Sequence, residues 1–173
     1  DRRLLPSEAG RTTMCPTELF FDSEANQSYI RLLPIETRLE EMSIQEHKKN
    51  PINWTSMPLD TNSSEKMAEA FLEVVKTKRV PLPVAEKLGL SEYRENPDDN
   101  MVNIPMWRHA LISFPHPLLK EGLTILDTPG LNALGNEPEL TLSMLPSAQA
   151  VIFVVAADTG VTKSDMDMWT QNV

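Results

Sequence analysis

The chain is 173 residues long and acidic, with 25 Asp and Glu against 16 Lys and Arg and a net charge of −9. That balance argues against a nucleic-acid partner, which wants basic patches, and 40% hydrophobic residues over this length suffice for one domain or a large piece of one. Cys15 is the only cysteine, so no internal disulfide forms and a reducing compartment is expected, while three scattered histidines (His47, His109, His116) leave a zinc site without ligands.

No apolar run reaches the length of a membrane-spanning helix. The chain opens at Asp1 and stops at Val173 inside a helical pattern, so the expectation is a fragment of a longer protein.

In chain order, Leu4-Leu5-Pro6 ends an apolar segment, and residues 7–17 read as a loop by their small, polar, Pro and Gly content. Thr12 and Thr13 lie in its middle. A Thr hydroxyl can complete the octahedral shell of Mg²⁺, and loops of this kind order around a γ-phosphate and relax after hydrolysis. Two threonines that bond their own loop are the plainer alternative. Residues 18–21 and 27–33 read as short strands, expected to form a hairpin around residues 22–26.

Residues 36–49 read as a charged helix with Leu39, Met42 and Ile44 as a thin apolar stripe, stopped by Asn50-Pro51. Residues 51–62 read as a loop packed down by Trp54 and Met57. The clearest helical pattern is 63–78, with Met67, Phe71, Val74, Val75 and Lys78 on one stripe and Asn62 or Ser63 as its cap. Residues 84–89 read as a short helix with a glycine stop, and 91–103 as polar, acidic loop. The span 36–103 is thus expected to be a mostly helical insertion.

Residues 106–114 read as a strand broken by Pro115-His116-Pro117, with His116 an exposed turn histidine. Residues 123–126 form the next strand, expected to be the antiparallel neighbour of the one before. Past a loop at 131–135, Asn136 caps a helix carrying Leu140, Met144 and Leu145. The run 150–157 is continuously apolar, the mark of a parallel strand buried on both faces, and a last helix begins near Ser164.

The stretch Gly122-Leu123-Thr124-Ile125-Leu126-Asp127-Thr128-Pro129-Gly130 organises the rest. An apolar run ends in an acid and a Thr-Pro-Gly turn. In open α/β sheets, ligands sit at the carboxyl ends of strands. An Asp there can hold the water shell of Mg²⁺, and a glycine three residues on lets its N–H approach a terminal phosphate. Pro129 stiffens the approach. The alternative is a strand followed by an ordinary turn.

With these residues in place, the chain resembles a known family. Asp127-Thr128-Pro129-Gly130 looks like the third GTPase motif of the dynamin superfamily. Leu5-Pro6, Gly10, Thr13 and Pro16 are spaced like its switch I, and 151–160 with Ser164-Asp165 is similar to its next strand and helix. The chain as a whole looks like part of a bacterial dynamin-like large GTPase. The resemblance implies an α/β fold: a partial P-loop NTPase (G-domain) sheet with helices on both faces. Residues 1–173 would be one partial GTPase domain, with 1–35 as the switch I region, 36–103 as the helical insertion and 104–173 as switch II and the following α/β unit. It also implies GTP as substrate and Mg²⁺ as cofactor. Thr13 would be catalytic and bind the metal, Asp127 would hold the metal through a water, the Gly130 N–H would sense the γ-phosphate, and Thr128 and Pro129 would shape the turn. The family assembles through its GTPase domains, so a homo-oligomer is expected, cytoplasmic, with any peripheral membrane contact made by parts outside this chain.

The phosphate loop Gly-x-x-x-x-Gly-Lys-Ser/Thr is absent from these residues; in the family it lies just upstream of Asp1. Thr162-Lys163-Ser164-Asp165 fits the guanine-reading pattern but follows a turn where a helix starts, so it is read as a decoy and nothing here chooses GTP over ATP. The competing function is a scaffold, nucleotide-gated or nucleotide-free, that holds a protein partner through the insertion.

Overall fold

The computed structural model describes residues 15–94, 96, 98–128, 148–152, 160, 161, 163, 166 and 170. The chain divides into two compact units, Asp1–Asn136 and Glu137–Val173.

The first unit holds β1 (Thr17–Phe20), β2 (Tyr29–Pro34), a 3-10 turn (Ile35–Leu39) and α1 (Ile44–Lys49). Then come β3 (Thr55–Pro58), α2 (Ser64–Val74), β4 (Thr77–Pro81) and α3 (Leu82–Lys87). The unit continues with β5 (Met101–Pro105), β6 (Trp107–Ser113), α4 (Pro117–Lys120) and β7 (Ile125–Asp127). Among the described residues, five strands form one mixed sheet in the order β3-β2-β6-β1-β7, and β4 and β5 form a second, two-stranded sheet. In the large sheet β1 runs parallel to β6 and antiparallel to β7, while β2 is antiparallel to both β3 and β6.

β6 takes the centre with Trp107 to Ser113 nearly all buried, Ala110, Leu111 and Ile112 packing apolar side chains on alternate faces and only Arg108 part-exposed. Its place corrects two expectations. The strands 18–21 and 27–33 are not hairpin neighbours: β6 lies between β1 and β2, and their turn contributes only an isolated Asp22–Gln27 bridge. Asp22 Oδ1 accepts the Ala25 N–H, and Asn26 takes a positive φ of 47°, so the turn is tight while the strands beyond it part. Likewise β6 and β7 are antiparallel in direction but separated by β1.

Side chains alternate across the sheet. One face presents Leu19, Ile30, Leu32, Ala110 and Ile112 and is packed with Phe71 and Val74 of α2. The indole N–H of Trp107 donates to the Glu73 carbonyl at the end of α2, 2.8 Å away, an oxygen that also accepts from Lys76 N, and so ties β6 to the helix end. The other face presents Phe20, Leu33 and Leu111, packed with Trp54. α1 is anchored there by the Trp54 Nε1–H bond to the His47 carbonyl, 2.8 Å. A capping box, Ser43 with Glu46, starts α1.

Segment 36–103 differs from the mostly helical reading, since it carries β3, β4 and β5 besides its helices. The 36–49 pattern breaks into the 3-10 turn and α1, leaving Leu39 exposed and Ile44 buried. The 63–78 stripe ends at Val74. From Thr77 the chain is extended, and Lys78, which fitted the helical stripe, pairs as a strand residue with Ile104. The glycine stop of α3 holds. Gly89, at φ +70°, donates to Glu86 O, and Leu90 N donates to Ala85 O, a Schellman closure that buries Leu90 beside Ala85. His116 is an exposed turn residue whose Nδ1 accepts from Leu118 N.

In the second unit Lys163, Met166 and Thr170 are helical, with the Thr170 hydroxyl donating to Met166 O at 2.9 Å. Val151 and Ile152 are irregular, and most of the apolar run expected as a strand lies outside the described residues, as does the helix expected after Asn136.

Candidate functional site

Two of the sequence-expected site residues are described, Asp127 and Thr128; Thr13, Pro129 and Gly130 lie outside the described residues. Asp127 ends β7, and Thr128 follows it outside the strand. Although its sequence is apolar, β7 is the sheet's edge among the described residues, with Ile125 47% exposed and Asp127 half-buried.

The strand beside Asp127 is the one that follows Thr12 and Thr13 in the sequence. Thr17 pairs with Asp127, Glu18 with Leu126 and Leu19 with Ile125. The chain that enters β1 is firmly held. Cys15 is buried, its carbonyl accepts from the Thr17 hydroxyl at 3.1 Å, and Pro16 O accepts from Ala110 N at 2.9 Å. The ladder therefore brings the acid of one expected motif alongside the strand that continues from the other.

The donor chemistry at Asp127 suits a hard cation that keeps its waters. Among the described residues no group of three or more His, Cys, Asp or Glu is arranged to hold a metal, so a fully protein-ligated ion is not provided for there. A partly exposed carboxylate with Thr oxygen in the same stretch of chain fits Mg²⁺, which needs only one or two protein oxygens.

Sequence reasoning missed a polar cluster on the α1 face of the sheet. Glu18 of β1 accepts through Oε1 from Lys48 Nζ of α1 at 2.5 Å and from His109 Nε2 of β6 at 2.9 Å. Burial raises the Glu18 pKa, but the hydrogen bonds and charges of His109 and Lys48 outweigh it, so the carboxyl sits below its ordinary range. Burial holds His109 below its ordinary value against the pull of Glu18. Its imidazole is thus neutral with the proton on Nε2, because an ionised carboxylate can only accept. His109 Nδ1 is left buried without a hydrogen-bond partner, and the ring stands edge-on to Trp54 with centroids 6.3 Å apart. Next to Lys48, the imidazole of His47 is fully buried; its Nδ1 meets Asn53 Nδ2 at 3.3 Å, and its Nε2 lies 3.5 Å from Glu40 without a hydrogen bond. The available signal was parity: Glu18 and His109 alternate with core residues in strands whose neighbours on the same face are apolar.

Comparison with known proteins gives two findings. Isoniazid-induced protein IniA of Mycobacterium tuberculosis is 43% identical over 60 residues, in the CDC 1551 / Oshkosh strain and equally in H37Rv. That alignment covers 34% of this chain and only 9% of the relative. The family model described as the Dynamin family matches residues 1–173, the whole chain. On that match, the chain belongs to the dynamin family.

Proposed function

We propose that this chain is part of a GTPase domain that binds GTP with Mg²⁺ at the carboxyl end of β7 and hydrolyses it. The observation that carries the reading is the Thr17–Asp127 pair, which sets Asp127 against the strand that begins four residues after Thr13 in the sequence. In this reading Asp127 holds Mg²⁺ through a water, the Thr13 hydroxyl binds the ion and helps orient the attacking water, and the Gly130 N–H reaches the γ-phosphate. Thr128 and Pro129 shape the turn that brings Gly130 there. When bound, Mg²⁺ supplies charge neutralisation on the phosphates. The rest is positioning, as expected for phosphoryl transfer. The outer edge of β7, with its half-exposed Ile125, is where the strand of a phosphate loop would pair.

The wider reading draws on the family alone: self-assembly through the GTPase domain, a cytoplasmic setting, and membrane remodelling through parts outside this chain. Among the described residues no helix is long and apolar enough to cross a membrane. The test is a titration of the full-length gene product with fluorescent GTP and ATP in Mg²⁺, beside Asp127→Ala. Tight GTP binding with Mg²⁺-dependent turnover lost in the variant is expected. Absence of binding to either nucleotide sinks the reading and leaves the scaffold, whose partner would be sought on segment 36–103.

A further inference from the structure

β1 is four residues long, and it is the only described strand that touches both β6 and the Asp127 strand. Its ladder partners hold it within the plane of the sheet. Out of that plane it is tied to α1 through one side chain, Glu18, whose carboxylate gathers Lys48 from α1 and His109 from β6. The carboxylate and imidazole are almost completely buried and Lys48 is largely so, on a face otherwise packed with Trp54, Leu33, Leu111 and Phe20. Well-packed apolar residues would often serve such a place as well or better for stability alone, because desolvating the charges offsets much of their attraction. What apolar packing does not supply is directional attachment of three particular elements.

We propose that Glu18, Lys48 and His109 are positioning residues for the nucleotide site: they fix β1, and through the Thr17–Asp127 pair they fix Asp127, so that α1 couples segment 36–103 to the GTPase centre. The inference rests on the nucleotide reading of Asp127 given above. The cluster lies on the opposite face of the sheet from Thr17 and Asp127, so it acts through the backbone of β1 and not by touching nucleotide. Lys48 is the member with part of its side chain in solvent, 23% exposed, and so the point at which α1 can be biased from outside.

The test uses the full-length gene product, with Mg²⁺-dependent GTP turnover and melting temperature measured for Lys48→Met, Lys48→Arg, Glu18→Gln, the Glu18→Gln/Lys48→Met pair and Asp127→Ala. Energetic coupling of this kind corresponds to about a 2- to 30-fold change. Lys48→Met and Glu18→Gln are expected to lower kcat within that range with KM for GTP little changed, and Lys48→Arg to restore it. The doubly substituted protein has no uncompensated charge, so its melting temperature recovers toward that of the native protein while kcat stays low. Should a single variant fail to fold, the double one carries the test. Recovery of kcat in step with the melting temperature, or native kcat in folded Lys48→Met, overturns the proposal. If Asp127→Ala abolishes turnover while the cluster variants do not lower kcat, only the coupling falls. If Asp127→Ala retains full turnover, the nucleotide reading falls and the coupling with it.

Discussion

The two sheets of the first unit are built on opposite plans. The large sheet joins distant parts of the chain, with Glu18 and His109 meeting across 91 residues, and it buries charge and imidazole among its apolar side chains. The small sheet comes from one stretch. β4, α3 and β5 enclose Ala85, Leu88, Leu90, Tyr93, Val102 and Ile104 with Ile35, and this core is apolar apart from the Tyr93 hydroxyl. Its ion pairs, Arg79 with Asp99 and Lys78 with Glu36, stand at the surface. A local apolar core folds on short loop closures, whereas long-range pairing must overcome more chain entropy before it is rewarded. The polar groups sit where distant segments have to be brought into one register, and the site strand β1 belongs to that part.

The sharpest way to break the comparison is to empty each core at a fully buried isoleucine, Ile112 in β6 and Ile104 in β5. Each Ile→Ala change should destabilise by about 2–5 kcal/mol. Followed by hydrogen exchange, Ile112→Ala is expected to lower protection across β1, β2 and β6 together. Ile104→Ala should release β4 and β5 while β2 and β6 stay protected. Uniform loss in both variants would mean that the two sheets unfold as one and that the distinction is only topological.

A second difference is acid sensitivity. His109 is held below its ordinary pKa of 6.5, so the unfolded chain binds its proton first; the stability it contributes is complete above pH 6.5 and lost as pH falls below it. Glu18 is held below its ordinary 4.5, so its contribution persists above that pH and disappears as pH falls through the lower folded value. Denaturant midpoints should therefore be flat from pH 6.5 up to pH 10, above which Tyr29, raised to about 12, ionises first in the unfolded chain, and should decline below pH 6.5, with the upper part of that decline reduced in His109→Phe. Among the described residues the small core has no imidazole or carboxyl within it, and its rim carboxylates Glu36 and Asp99 are held below their ordinary 4.5 and 3.8, so its own response should begin only below pH 4.5.

The smallest effect is expected at the rim. Arg79 is 63% exposed, and its bond to Asp99 is screened by solvent, so Arg79→Ala should leave the melting temperature unchanged within error. A clear drop would show that the small sheet depends on its surface charges after all.

Much of the architecture was legible from local chemistry. The strand and acid of 123–127, the strand at 107–113, the α2 stripe through Phe71 and Val74 and the glycine closure of α3 all follow from periodicity and turn residues, which act over a few positions. The strands of segment 36–103 were not legible. β3 is short, polar and ends in Pro58, and β4 follows α2 so closely that its Lys78 fits the helical spacing.

By itself, the sequence determined that an apolar strand ends in Asp127 before Thr-Pro-Gly, because this is a property of neighbouring residues. Only the tertiary structure decided that β6 separates β1 from β2, that β1 lies against β7 with Thr17 opposite Asp127, and that Glu18, Lys48 and His109 converge. Strand order and burial depend on which faces the whole chain can cover at once, and a strand carries no local mark of which distant strand will be its neighbour.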